Sequence, residues 1–201
     1  VTDVPVTYGG KALHNIMNCL PAVLSTYFWR NIEIEDIRLA LQTFIPSSTQ
    51  TPGRLNLFQF KQFQFLVDFA HNPAGLELLC DFVSKLDGEP KVGIISGTGD
   101  RRNEDIKELG KISGRYFDEI IIRQDKNLRG RTAEEIVNLL VEGIKETQPK
   151  EIPIKIIYNE KEAIMHAYNN AKPGSLITIM CDVVAEALDL IKGLKEKEDA
   201  E

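Results

Sequence analysis

The chain has 201 residues, 43% of them apolar and 27% charged, which suits one large folded domain or two small ones and argues against disorder. Lysine and arginine number 24 against 30 aspartates and glutamates, a net charge of −6, so no overall positive field attracts nucleic acid or an anionic membrane and any anion site must be local. Cys19, Cys80 and Cys181 lie far apart without a CxxC pair, which speaks against a zinc site or disulfide framework and fits a reducing cytoplasm. No apolar run approaches the roughly 20 residues that span a bilayer. No charged-then-apolar leader opens the chain, and the first residue is Val rather than Met, as expected of a fragment of a longer protein.

Residues 11 to 29 carry Leu13, Ile16, Met17, Leu20, Leu24 and Tyr27 at helical spacing, predicting a helix with one buried face that Pro21 kinks or splits. Tyr27, Phe28 and Trp29 are expected in a core. Residues 31 to 44 read as a second helix. IPSSTQTPGR, 45 to 54, gathers Pro, Ser, Thr and Gly and predicts a linker or active-site loop. Thereafter short apolar runs at 63–68, 91–96, 118–123, 153–158 and 175–180 alternate with amphipathic stretches at 74–86, 103–116, 132–146, 160–171 and 183–196. That alternation predicts an α/β, Rossmann-like, mostly parallel sheet with helices on both faces. The final KEKEDAE reads as a frayed tail.

Ligands of such sheets sit at the carboxyl ends of the strands, here loops 68–73, 97–102 and 123–131. In the first, Asn72 can cap a helix that Pro73 opens while Asp68 and His71 fill a turn. A carboxylate at this place can equally bind a ribose hydroxyl, and local sequence does not decide. The second loop, GTGDRRNED, combines Gly97 and Gly99 with Arg101 and Arg102 before a helix N-terminus, yet it is neither a GxGxxG nor a P-loop. The third, QDKNLRGR, adds Arg129 and Arg131. Two arginine-bearing loops on one edge of an acidic protein suggest an anionic ligand, since planar guanidinium groups suit carboxylate or phosphate. His14, Asn15 and Asn18 share one polar helix face, which a solvated surface also explains. His166 and the cysteines read as packing groups.

VPVTYGGKALHNIMN (4–18), TPGRLNLF (51–58), VDFAHNPAG (67–75), GTGDRRNEDIKELGKIS (97–113) and DKNLRGRTAEEIVNLLVEGI (125–144) together resemble, in order, blocks of the Mur ligase superfamily. The GDRR and RGR pairing is more similar to its arginine-adding branch than to its peptidoglycan ligases. The resemblance implies that residues 1–54 are the helical end of a truncated central ATPase domain plus linker, and 55–201 the C-terminal Rossmann-like domain. It implies ATP-binding roles for His14, Asn15, Asn18, Arg54, Asp68, His71 and Asn72, and substrate-binding roles for Asp100, Arg101, Arg102, Arg129 and Arg131. Magnesium ligands and the P-loop would lie upstream, so no metal ligand and no confident catalytic residue is expected here, and these residues alone should not catalyse.

The activity implied is ATP-dependent joining of an amino acid, arginine by this branch, to an aspartate side-chain carboxylate through an acyl-phosphate. Glu104, Asp105 and Asp125 are available to a guanidinium. ATP with Mg2+ and an amino-acid or peptide substrate are the expected partners, without nucleic acid or membrane, and a cytoplasmic homo-oligomer is compatible. The alternatives are a peptidoglycan or folylpolyglutamate ligase of the same superfamily, or a non-catalytic module that binds a nucleotide or small acid. Here Asn18, Cys19, Leu20, Pro21 and Ala22 stand where the superfamily's helix has N-x-L-A-A, so Pro21 departs from it.

Overall fold

A computed structural model describes residues 2–147 and 151–200, which form two compact units, Val1–Thr51 and Pro52–Glu201. The first contains a 3-10 turn, Pro5–Thr7, and helices α1 (Leu13–Arg30) and α2 (Ile34–Thr43). α1 runs unbroken through Pro21 rather than splitting, at the cost of the bond that an N–H there would have given to the Met17 carbonyl. Its apolar stripe is not a core: Leu13, Met17, Leu20 and Leu24 are each at least half exposed, as are Phe28 and Trp29, and Tyr27 is 46% exposed. The periodicity was that of a buried face, but within this unit α1 meets only α2 and the Pro5–Thr7 turn, too little surface to cover it.

The boundary between units falls after Thr51, so Pro52, Gly53 and Arg54 group with the sheet rather than with the preceding linker. Three hydrogen bonds hold them there. Gly53 N–H donates to Asn56 Oδ1 at 2.7 Å, Phe69 N–H to the Gly53 carbonyl at 3.0 Å and Leu55 N–H to Asp68 Oδ2 at 2.9 Å. Gly53 has φ +69° and lies so close to Val184 that a Cβ would stand 2.7 Å from a valine methyl. Only glycine meets both demands.

The second unit is a six-stranded sheet of order β1-β2-β6-β3-β4-β5. Its strands are β1 (Asn56–Gln59), β2 (Gln64–Asp68), β3 (Lys91–Ile95), β4 (Glu119–Ile122), β5 (Ile154–Ile156) and β6 (Leu176–Met180). β1 pairs antiparallel with β2, Asn56 opposite Val67, and the other neighbours are parallel. β1 is absent from the periodicity reading. Its four residues turn back through Lys61 and Gln62, where Phe60 N–H meets the Phe63 carbonyl, and this tight turn contains no Gly or Asn to signal it. The central strands are sealed on both sides, which is why they read as unbroken apolar runs: Phe65, Leu66, Val67, Leu176, Ile177 and Ile179 are all fully buried.

Five helices follow, α3 (Pro73–Ser84), α4 (Asn103–Tyr116), α5 (Ala133–Thr147), α6 (Glu160–Asn169) and α7 (Val184–Ala200). The chain steps from β2 to β3 to β4 to β5 in one direction and returns from β5 to β6 in the other. Right-handed crossovers therefore put α3, α4 and α5 on one face and α6 on the opposite face with α7, as their mutual packing shows. α4 and α5 cross closely because Gly110 and Gly143 lie at the contact, where an added Cβ would stand 2.2 Å from the Leu140 carbonyl oxygen and 2.0 Å from that of Lys107. The opposite layer packs Ile164, Leu188 and Ile191 over Phe65, Val67 and Ile177. The expected frayed tail is helical through Ala200, with Glu201 outside the described residues. Lys195 bridges Glu198 and Asp199, and Glu198 accepts the Lys61 N–H. These pairs compensate for the missing apolar period. No helix among the described residues is long and apolar enough to cross a membrane.

Candidate functional site

Parallel strands β2, β6, β3, β4 and β5 end on one edge, and the neighbours β2/β6, β6/β3 and β4/β5 feed helices on opposite faces, which opens crevices for ligands. At the end of β2, Asn72 Oδ1 accepts the Gly75 N–H at 2.8 Å and caps α3, with Pro73 at its first position. His71 Nδ1 lies 3.1 Å from the Phe69 carbonyl and its ring is tilted on Phe69 at 5.1 Å. Asp68 is 8% exposed. Burial pushes its carboxyl above the ordinary 3.8, against the pull of the Leu55, Ala70 and Phe69 N–H groups and the Arg54 guanidinium. Asp68 thus clamps the 52–55 turn onto β2, and a sugar hydroxyl would have to displace that clamp. Arg54 is exposed, its guanidinium 5.7 Å over the Phe69 ring, and among the described residues it is in no salt bridge. In the first unit, Asn15 Nδ2 donates to the Val6 carbonyl at 2.8 Å, Asn18 is exposed and His14 is half-buried. This places Asn15 as a tie between α1 and the preceding turn. The nucleotide-binding expectations are thus divided between the two units.

The loops after β3 and β4 form one body. Arg131 Nε donates to the Gly99 carbonyl at 2.9 Å and its Nη2 to the Arg101 carbonyl at 2.8 Å, while Arg129 pairs with Asp100. Gly99 permits this approach: a Cβ would stand 2.0 Å from the Leu128 carbonyl oxygen. The Gly97/Gly99 pair therefore serves contact between loops and against Ile106 and Ile136, and only Gly130 and Arg129 in these loops adopt positive φ. Arg102 makes a bidentate, exposed pair with Asp105, 3.0 and 2.8 Å, so neither is available to a substrate without exchange. Arg101 differs. Its Nε is buried without a partner, and its side chain makes no hydrogen bond among the described residues. A buried, unsatisfied cationic donor is costly unless a ligand completes it.

Beside this body a cavity of about 800 Å³ opens, lined by Gln124, Asp125 and Lys126 after β4, Tyr158 to Lys161 after β5, Asp182 after β6, and α7 residues including Glu186 and Asp189. Arg123, 1% exposed, lies beneath it. It donates to Asp125 Oδ1 at 2.7 Å and to the Met180 carbonyl, and its Nε stands 3.1 Å from Glu160 Oε2. Glu160 Oε2 also accepts the Asp182 N–H at 2.6 Å, and Asp182 Oδ2 the Lys126 N–H at 2.8 Å, so the ends of β4, β5 and β6 are tied through charged groups. Burial raises the Glu160 carboxyl, and Arg123 opposes this. Sequence reasoning missed Arg123 and Glu160. The available signal was a charged residue closing the apolar run EIII, where burial demands a partner. Among the described residues no group of three His, Cys, Asp or Glu side chains is arranged to hold a metal ion.

The sheet order and the helices on both faces define a Rossmann-like α/β domain. The sequence profile of the family described as "Mur ligase, glutamate ligase domain" matches residues 53–182, and the chain belongs to the Mur ligase family. It is similar in particular to the cyanophycin synthetase of Crocosphaera subtropica, 41% identical over 94% of this chain and 21% of that protein. The UDP-N-acetylmuramoyl-L-alanyl-D-glutamate–2,6-diaminopimelate ligase of Aquifex aeolicus is 27% identical over 80% of this chain and 31% of its own length. The fold also matches the Mycobacterium tuberculosis folylpolyglutamate synthase complexed with ADP and AMPPCP, with a TM-score of 0.67 at 21% identity, over 90% of this chain and 40% of that one. The chain thus spans about a fifth of the length of the cyanophycin synthetase it matches.

Proposed function

We propose that this chain acts as the C-terminal part of an ATP-dependent carboxylate–amine ligase and that its sheet edge holds the incoming amino acid, arginine. In this account residues 1–51 belong to the end of a nucleotide-binding domain, and the sheet unit closes over the reacting groups. The observation that carries it is the 41% identity to a cyanophycin synthetase across 94% of the chain, against 27% to a peptidoglycan ligase. Its support in the site is a cationic loop body placed beside an acidic cavity, two complementary ends for a molecule with a carboxylate and a cationic side chain.

ATP, when bound with Mg2+, would supply the phosphoryl group that activates the acceptor carboxylate as an acyl-phosphate. The chain's own residues have other tasks. Arg101 would bind the amino-acid carboxylate with its unpaired Nε, and Arg131 would keep the loop in position. Arg54, exposed at the start of the sheet unit, would bring positive charge to the phosphates when the unit closes. The structure fits Asp68 to holding the Arg54 turn better than to a sugar, so Asp68 is kept as a positioning group. In this account the magnesium ligands are supplied mainly elsewhere in a longer protein. These residues alone are not expected to turn over.

The test is Arg101→Ala in the whole gene product that contains these residues. The KM for the amino acid should rise about tenfold or more, the worth of one charge-assisted hydrogen bond, with the KM for ATP little changed. An unchanged amino-acid KM would remove Arg101 from the site.

A further inference from the structure

We infer that Arg123 is a positioning residue that presents the Asp125 and Glu160 carboxylates to a guanidinium side chain entering the 800 Å³ cavity. The inference rests on the proposed placing of the amino acid at this edge and adds what reads its side chain. Arg123 anchors each carboxylate by one oxygen. Asp125 Oδ1 accepts from both Arg123 Nη1 at 2.7 Å and Ser96 Oγ at 3.0 Å, and Glu160 Oε2 takes Arg123 Nε and the Asp182 N–H. Glu160 is held further by the Val183 N–H, Asp125 Oδ2 makes no hydrogen bond among the described residues, and both side chains line the cavity and are mostly buried.

Another acceptor in the same wall is unmatched. Gln124 is 8% exposed and spends its Nε2 on the Ala133 carbonyl at 3.1 Å, while its Oε1 is buried without a partner. Five carboxylates line the cavity with two lysines, and Lys126 is already paired with Glu186. Acidic groups therefore outnumber basic ones in the walls. A guanidinium, planar with five N–H groups, supplies donors and positive charge to several acceptors at once, whereas an ammonium offers three donors from one point. Without Arg123 the two carboxylates would repel each other and turn toward water. Arg123 offsets part of their charge and holds one oxygen of each, so that the two carboxylates keep a set position. Its own burial is sustained by the Met180 carbonyl and these two acids.

The test is titration of the folded 201-residue chain with L-arginine, L-lysine and L-citrulline into the millimolar range, by calorimetry or NMR. Citrulline has nearly the shape of arginine without its charge. Arginine should bind about tenfold or more tightly than citrulline, with lysine between them. Asp125→Asn and Glu160→Gln should each reduce that ratio by lowering arginine affinity while leaving citrulline's alone. Arg123→Met should abolish the discrimination and Arg123→Lys restore part of it, a selectivity readout that a purely structural role would not move. If Arg123→Met does not fold, the two carboxylate variants decide. Equal binding of arginine and citrulline would leave an amino-acid site standing and overturn the role of Arg123. A ratio that survives Arg123→Met, or both carboxylate variants, would also overturn it. No binding of any of the three by the folded chain would overturn this inference and the proposed amino-acid site together.

Discussion

Gly99→Ala isolates the contact that makes one site out of two loops. A Cβ at residue 99 would lie 2.0 Å from the Leu128 carbonyl oxygen, whereas ordinary carbon–oxygen contact begins above 3.0 Å. The loops after β3 and β4 must therefore part by about 1 Å, because the Leu128 carbonyl is backbone and cannot swing away like a side chain. Separation by that amount takes Arg131 beyond hydrogen-bond reach of the Gly99 carbonyl, now 2.9 Å, and of the Arg101 carbonyl, now 2.8 Å. At roughly 1.5 kcal/mol for each bond from a charged donor the loss is about 3 kcal/mol. The backbone at 99 has no positive φ, so alanine returns up to about 1 kcal/mol through the unfolded chain. The net expectation is a destabilisation of about 2 kcal/mol, read in urea as a lower midpoint with an unchanged slope, together with weaker arginine binding. A variant as stable as the parent that binds arginine equally well would refute the reasoning that these loops work as one body.

Gly143→Ala should destabilise by about 3 kcal/mol or more, since its Cβ would meet the Lys107 carbonyl at 2.0 Å between two helical backbones, and the thermal midpoint reports it. Asp68→Asn keeps an acceptor for the Leu55 N–H and removes a buried charge. Because burial raises the folded-state pKa of Asp68 above 3.8, the folded protein holds the proton more tightly, and its stability contribution is present below pH 3.8 and lost as pH rises through the folded value. The variant should therefore gain stability relative to the parent as pH rises from about 4 to 7, and a pH-independent difference in midpoint would contradict this. Trp29→Ala should leave the thermal midpoint of the sheet unit unchanged, since Trp29 is 85% exposed in the other unit, and a shift in calorimetry would show coupling that its exposure does not explain.

Much of the sheet was readable because its central strands are apolar throughout and their helices keep a clean period, as in β6 and α4. β1 was not, since NLFQ is short and its turn through Lys61 and Gln62 lacks the residues that advertise a hairpin. The α1 stripe misled for a different reason: periodicity reports which side of a helix is apolar, and burial depends on what stands opposite. At the site, sequence named Arg101, Arg129 and Arg131 together, and the structure gives them distinct tasks. Arg131 and Arg129 tie the loops, and Arg101 retains the buried unpaired donor. Arg123 escaped notice because one charge at the end of an apolar run is an everyday strand terminus, and its partners Glu160 and Asp125 come from segments remote in sequence.

The most direct test of the proposed ligase is ADP release by the whole gene product that contains these residues, supplied with ATP, Mg2+ and an aspartate-bearing acceptor and challenged in turn with arginine, D-glutamate and diaminopimelate. The account predicts release that requires arginine together with the acceptor. Release driven by glutamate or diaminopimelate and indifferent to arginine would contradict it.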